Sequence, residues 1–211
     1  MKFPLLASLL VFVVWIAYEI HKAHKKDDKF LADFWERERE ADSTRRKSLA
    51  DLNYITIPLD ELALPEDADD ELKENFAVLE NIAKSKIVKL SEFTNTDLKL
   101  KYGAPNLPLL TEWDTNYSTM VQTLQKIAVS LFKSGNLDLA EKYLNFAVEA
   151  GTDVSQSYYL LADIYEKRGE PDRITELELL AGNLNSIMKE AMLENLSEAG
   201  PHSDFLRGYQ L

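Results

Sequence analysis

Three histidines, no cysteine and a large excess of carboxylates decide what chemistry this chain can carry. His21 and His24 are spaced i, i+3 on one helical face, as a metal pair can be, but no third ligand stands near them. The remaining histidine is His202, so the stretch between Lys25 and Pro201 lacks the usual general base and the commonest metal ligand. Without cysteine there is no disulfide, thiol nucleophile or thiolate-bound zinc. The densest carboxylate run, EDADDE at 66–71, has the composition of a calcium loop. It lacks the glycine such a loop needs at its sixth position and the distal glutamate. It reads instead as the start of a helix, where the macrodipole favours negative charge. No nucleophile motif, glycine-rich phosphate loop or metal-ligand cluster is present, so the sequence argues against an enzyme and against a bound cofactor.

The charge is divided unevenly. Residues 1–48 hold 10 Lys and Arg against 8 Asp and Glu. That leaves 14 of the 24 basic and 28 of the 36 acidic residues for 49–211, a balance of −14. Such a body repels phosphate backbones at long range, which disfavours nucleic acid as a partner. Apolar residues make up 45% of the chain, enough for a core.

Residues 3–18, FPLLASLLVFVVWIAY, contain no charge, and the run ends in YEIHKAHKK rather than in a small-residue cleavage site. The expectation is a transmembrane anchor over 1–21. Trp15 and Tyr18 would lie in the aromatic belt, and Lys22, Lys25 and Lys26 at the interface. These lysines and Lys29 outnumber Lys2 on the other side, which puts the body on the cytoplasmic face of a single-pass cell-membrane protein. Residues 22–67 read as a juxtamembrane charged helix followed by an extended linker. Phe30, Leu31, Phe34 and Trp35 recur on one face, with Phe34 and Trp35 also placed at the membrane interface. The patch is too short for a coiled coil, and STRRKS at 43–48 is a basic spot that could touch anionic lipid.

From Asp69 the helical period is clear, with Leu72, Phe76, Leu79, Ile82 and Ala83 in one stripe. TNTDLKLKYG predicts a short capped helix stopped at Gly103, and APNLPLL a rigid connector. A long helix then runs to Lys133, with Trp113, Tyr117, Met120, Leu124, Ile127, Ala128 and Leu131 on its apolar side. LNSIMKEAMLENL at 184–196 predicts a closing helix, and 199–211 a tail.

The body contains a repeat. At an offset of 34 residues, Gly135 meets Gly169, Ala128 meets Ala162, Leu131 meets Tyr165, and Ala147 meets Ala181. Small residues meet small ones, as helices that pack closely require. This resembles the tetratricopeptide-repeat (TPR) family, over units of about 121–154 and 155–188 within a helical domain spanning 68–198. Ile174 and Glu178 depart from the family's preferences. The chain as a whole also resembles small bacterial proteins with one N-terminal span and a TPR-like tail. The resemblance implies an all-α stack of helical hairpins and a concave groove that binds a protein or peptide. The groove positions here are Gln122, Gln125, Val129, Phe132, Lys133, Gln156, Tyr159, Asp163, Glu166 and Lys167. The expected function is thus a membrane-tethered adaptor or scaffold. The alternative is a structural membrane protein that acts by self-association. The sequence leaves the partner and the oligomeric state open.

Overall fold

A computed structural model describes residues 3–198 and 202, with side chains from Ser8 onward except that of Ala23. Among the described residues the protein is all-helical, with no strand. The helices are α1 (Phe3–Ser43), α2 (Asp70–Ile82), α3 (Asn95–Tyr102), a 3-10 turn η1 (Ala104–Asn106), α4 (Leu107–Lys133), α5 (Leu137–Glu149), α6 (Ser155–Arg168), α7 (Pro171–Gly182) and α8 (Lys189–Ser197). Contacts divide the chain into two units. The first holds residues 1–50 and 93–108, and the second 51–92 and 109–211. Lys2, and the expected tail at 199–211 apart from His202, lie outside the described residues.

The expected transmembrane helix is corrected. Among the described residues no helix is long and apolar enough to cross a membrane. The uncharged run of α1, residues 3–18, stops before Glu19. Its 16 residues cover about 24 Å of helix, against about 30 Å of hydrocarbon. The anchor and the juxtamembrane helix expected after it are one continuous helix of 41 residues.

In the first unit, α3 packs against the last turns of α1, and charge aligns the pair. Arg37 reaches Asp97 at 2.7 Å. Lys99 bridges Glu38 at 3.1 Å and Asp42 at 2.7 Å, and the Thr96 hydroxyl donates to Glu38. Ala41, Leu98 and Tyr102 supply the buried apolar contacts. A capping box of Thr94 and Asp97 starts α3, each residue satisfying the other's backbone N–H. Gly103 ends it at φ 94°, where an added Cβ would run into the Arg45 carbonyl. The connector expected at 104–110 is instead η1 followed directly by α4, because proline is tolerated in a first helical turn. The Asn106 amide ties this region down by donating to the Lys47 and Tyr102 carbonyls, at 2.9 and 2.8 Å.

The hydrogen bond from Thr96, then that from Lys99, holds Glu38 below the usual carboxylate range, and bonds from Thr94 do the same for Asp97. Asp42 and Glu38 raise Lys99. Carboxylates depressed on folding contribute stability above their unfolded pKa, and this is lost as pH falls through the folded value. Acidification below about 4 should therefore loosen α3 from α1. Hydrogen exchange at the Leu98 amide should quicken there, and an unchanged rate would contradict the charge-aligned packing. Gly103→Ala should lower the melting temperature, because it adds both a positive-φ penalty and a clash with backbone.

In the second unit, α5 packs on α6, α6 on α7, and α8 on both α6 and α7. One core joins these helices to α2 and to residues of the irregular segments. It includes Ile57, Leu62, Leu72, Leu79, Ile87, Leu124, Ile127, Leu161, Ile164 and Leu177. Helices outside residues 121–188, α2 and α8 among them, therefore help complete the core. The segments flanking α2 carry no regular structure, so their polar backbone groups bond elsewhere. Ile55 N–H donates to the Ile87 carbonyl at 3.0 Å, and Val88 N–H to that of Trp113 at 3.3 Å. Leu90 N–H donates to Asp114 at 2.7 Å. The Lys86 ammonium lies 4.6 Å from the Tyr54 ring centroid and 4.9 Å from that of Trp113. Asp69 caps α2 by accepting from Leu72 N–H at 2.7 Å, so the acidic run at 66–71 leads into a helix start.

Ala128, Ala140, Ala147, Ala162 and Ala181 are all fully buried. Ala128→Leu or Ala162→Leu forces extra methylenes into this core and should cost about 1–3 kcal/mol. Gln122→Ala, on an exposed site, should stay within about 0.5 kcal/mol. Urea midpoints measure all three, and equal midpoints would show that the alanines are not close-packing sites.

Candidate functional site

The ten groove positions expected from the sequence fall on α4 and α6, and the structure treats them unequally. Gln122, Lys133, Gln156, Glu166 and Lys167 are exposed, while Gln125, Val129, Phe132 and Tyr159 are half-buried. Two contacts cross from α4 to α6. The Gln125 amide donates to the Gln156 side-chain oxygen at 3.3 Å, and the Lys167 ammonium sits 4.1 Å from the Phe132 ring centroid. Phe132 is thus an aromatic surface held between apolar packing on one side and a cation on the other.

Asp163 does not belong to that surface. It is buried, and one carboxylate oxygen accepts the backbone N–H of His202 at 2.6 Å. The His202 ring is buried too, with Nδ1 2.9 Å from the Asn195 carbonyl. A lone carboxylate within the apolar run YYLLADIY was the available signal, since a charge set among buried residues needs a partner.

Two clefts open elsewhere in the second unit. One of about 390 Å³ lies among Pro65, Asp67, Asp69, Leu72, Ser130 and Asn136. The other, about 360 Å³, lies where α5, α6 and α7 meet. Its floor is Val148, Leu161 and Leu177, and its rim includes Asn145, Glu149, Arg173 and Glu176. Sequence reasoning placed no residue in either. A polar network stands at the rim of the second. Tyr165 accepts from Arg173 at 2.9 Å and donates to Asn145 at 3.1 Å. Glu141 takes Arg168 and lies 3.6 Å from Arg173. The network joins three successive helices, and each of its members has a partner within it.

The residues expected at a membrane interface are Trp15, Tyr18, Lys22, Lys25, Lys26, Phe34 and Trp35. All seven are exposed on α1. His21 and His24 are exposed there as well. Among the described residues no group of three histidines or carboxylates could hold a metal ion.

The fold defines an all-α protein whose second unit is built from packed helical pairs. No family model matches the chain, and no match to it is found among the curated proteins or the solved structures.

Buried tyrosines tie this unit together and make it sensitive to alkali. Tyr143 donates to the Leu62 carbonyl, and Tyr158 to that of Thr152 at 3.1 Å. Burial pushes Tyr158 up to about 12, and raises Tyr117 and Tyr143 as well. A group raised on folding contributes stability below its unfolded pKa, and that stability is lost as pH rises through the folded value. From about 10 toward about 12 the unit should therefore weaken. Tyrosinate absorbance from these rings should appear only as near-ultraviolet circular dichroism collapses. Full ionisation near the ordinary phenol value with the fold intact would refute their burial.

Proposed function

We propose that the second unit is a protein-interaction module, an adaptor or scaffold, that takes a peptide or protein on the face formed by α4 and α6. The observation that supports this reading most is Phe132 under Lys167. A half-buried ring is large, rigid and partly dehydrated already, and aromatic side chains of this kind carry much of the energy at binding anchors. Tyr159 offers a second ring on α6. Gln122, Gln125 and Gln156 offer amides that can bond a peptide backbone. The 34-residue spacing and the likeness to tetratricopeptide repeats support the same reading. Asp163 is not part of the proposed surface.

The test is to select peptides from a random library on the purified protein and map them by chemical-shift perturbation. Selected ligands should shift Phe132, Tyr159 and Lys167. Phe132→Ala with Tyr159→Ala should weaken them at least about tenfold, as loss of an anchor does. Melting curves of the double variant show whether the fold survives. Ligands that map to the α5–α6–α7 cleft, or that bind the folded double variant equally well, would overturn this choice of surface.

A further inference from the structure

The exposed side chains of α1 are ordered around the helix. At 3.6 residues per turn, Trp15, Tyr18, Lys22, Lys25, Lys26 and Lys29 fall within a sector of roughly 100°. All six are exposed. Asp27 and Asp28 fall outside the sector, and Asp33 returns to it one turn beyond Lys29. Glu19 lies at its margin, 3.9 Å from Lys22 in a solvent-exposed pair that offsets little of the positive charge. The stripe is therefore aromatic at one end and basic along the rest. Beside its aromatic end, Leu9, Leu10, Val11, Phe12, Val13 and Val14 are all more than half exposed.

We propose that this stripe docks α1 on the headgroups of an anionic lipid surface, without crossing it. Trp and Tyr are amphipathic rings that settle at headgroup level, and lysines along the same face meet lipid phosphates and carboxylates. Four lysines on one face oppose a parallel second copy seated on that face, because like charges would meet. Nucleic acid would satisfy the lysines and leave the apolar side chains beside them in water. The protein's net charge of −12 does not prevent docking. Screening over about 8 Å at physiological salt makes the nearest charges decide. The acidic excess instead confines attachment to this stripe.

The test is flotation of the full chain with vesicles of phosphatidylcholine, with or without phosphatidylserine. The protein should float with the anionic vesicles far better than with the neutral ones, and lose that preference in high salt. Replacing Lys22, Lys25, Lys26 and Lys29 by glutamine should reduce partitioning about a thousandfold. Replacing the same four by arginine should restore it, which separates charge from any loss of helix. Equal flotation on neutral vesicles, or undiminished flotation of the glutamine variant, would overturn the proposal. So would crosslinking into oligomers with no flotation, which points to a second copy. Retardation of a single-stranded oligonucleotide without vesicle binding would overturn it in favour of nucleic acid. Neither result bears on the α4–α6 face, which the peptide experiment tests separately.

Discussion

A stretch of helix buried on every side needs neighbours on every side, and the middle of α6 is such a stretch. Residues 160–165 are buried without a break. That run includes Ala162, fully buried, and Asp163, which is satisfied by a backbone N–H from beyond α8. The arrangement of the second unit follows from that requirement. α5 and α7 cover α6 from either side in sequence, and α8 returns to it. Tyr143 and Tyr158 direct their hydroxyls to backbone carbonyls because an unpaired phenol in such a place would be costly.

The first unit is held differently. Its apolar contacts are few, and its geometry rests on ion pairs and reciprocal caps between α1 and α3. Exposed pairs of this kind contribute little singly, because water and salt screen them. Lys99, shared between two carboxylates and mostly shielded, is the exception in geometry. The two units therefore answer to different conditions. Acid and salt act on the first, whereas core volume and alkali act on the second.

Much of this was legible in the sequence. The caps around α3, the stripe of α2, the long α4 and the alanines at an offset of 34 residues announced themselves through period and turn chemistry. What failed had physical reasons. The prolines at Pro105 and Pro108 suggested a connector, yet a first helical turn accepts proline, and α4 begins at Leu107. The apolar run near the N-terminus suggested a span, but its 16 uncharged residues fall short of the hydrocarbon thickness, and among the described residues no helix is long and apolar enough to cross a membrane. Asp163 was assigned to a groove because it stands at a groove position of the family that the chain resembles, at an offset of 34 residues from Val129. The offset fixes where a residue sits on its helix, but not what the rest of the chain lays over it. The middle of α6, YYLLADIY at 158–165, is apolar at every position but Asp163, so its period could not tell an open face from a covered one. Phe132 and Tyr159 were placed on the surface by the same offset and are half-exposed, because nothing described packs fully across them.

α8 also decides what the second unit shows to water at one of its edges. A helix that covers a core has an outer face, and the polarity of that face decides what can pack on it next. Met192 and Leu196 of α8 are buried inward, whereas Glu190, Glu194, Ser197 and Glu198 are exposed. A further layer laid on those carboxylates would have to strip their water. The outer side of α8 therefore acts as a hydrated skin over the apolar residues beneath it.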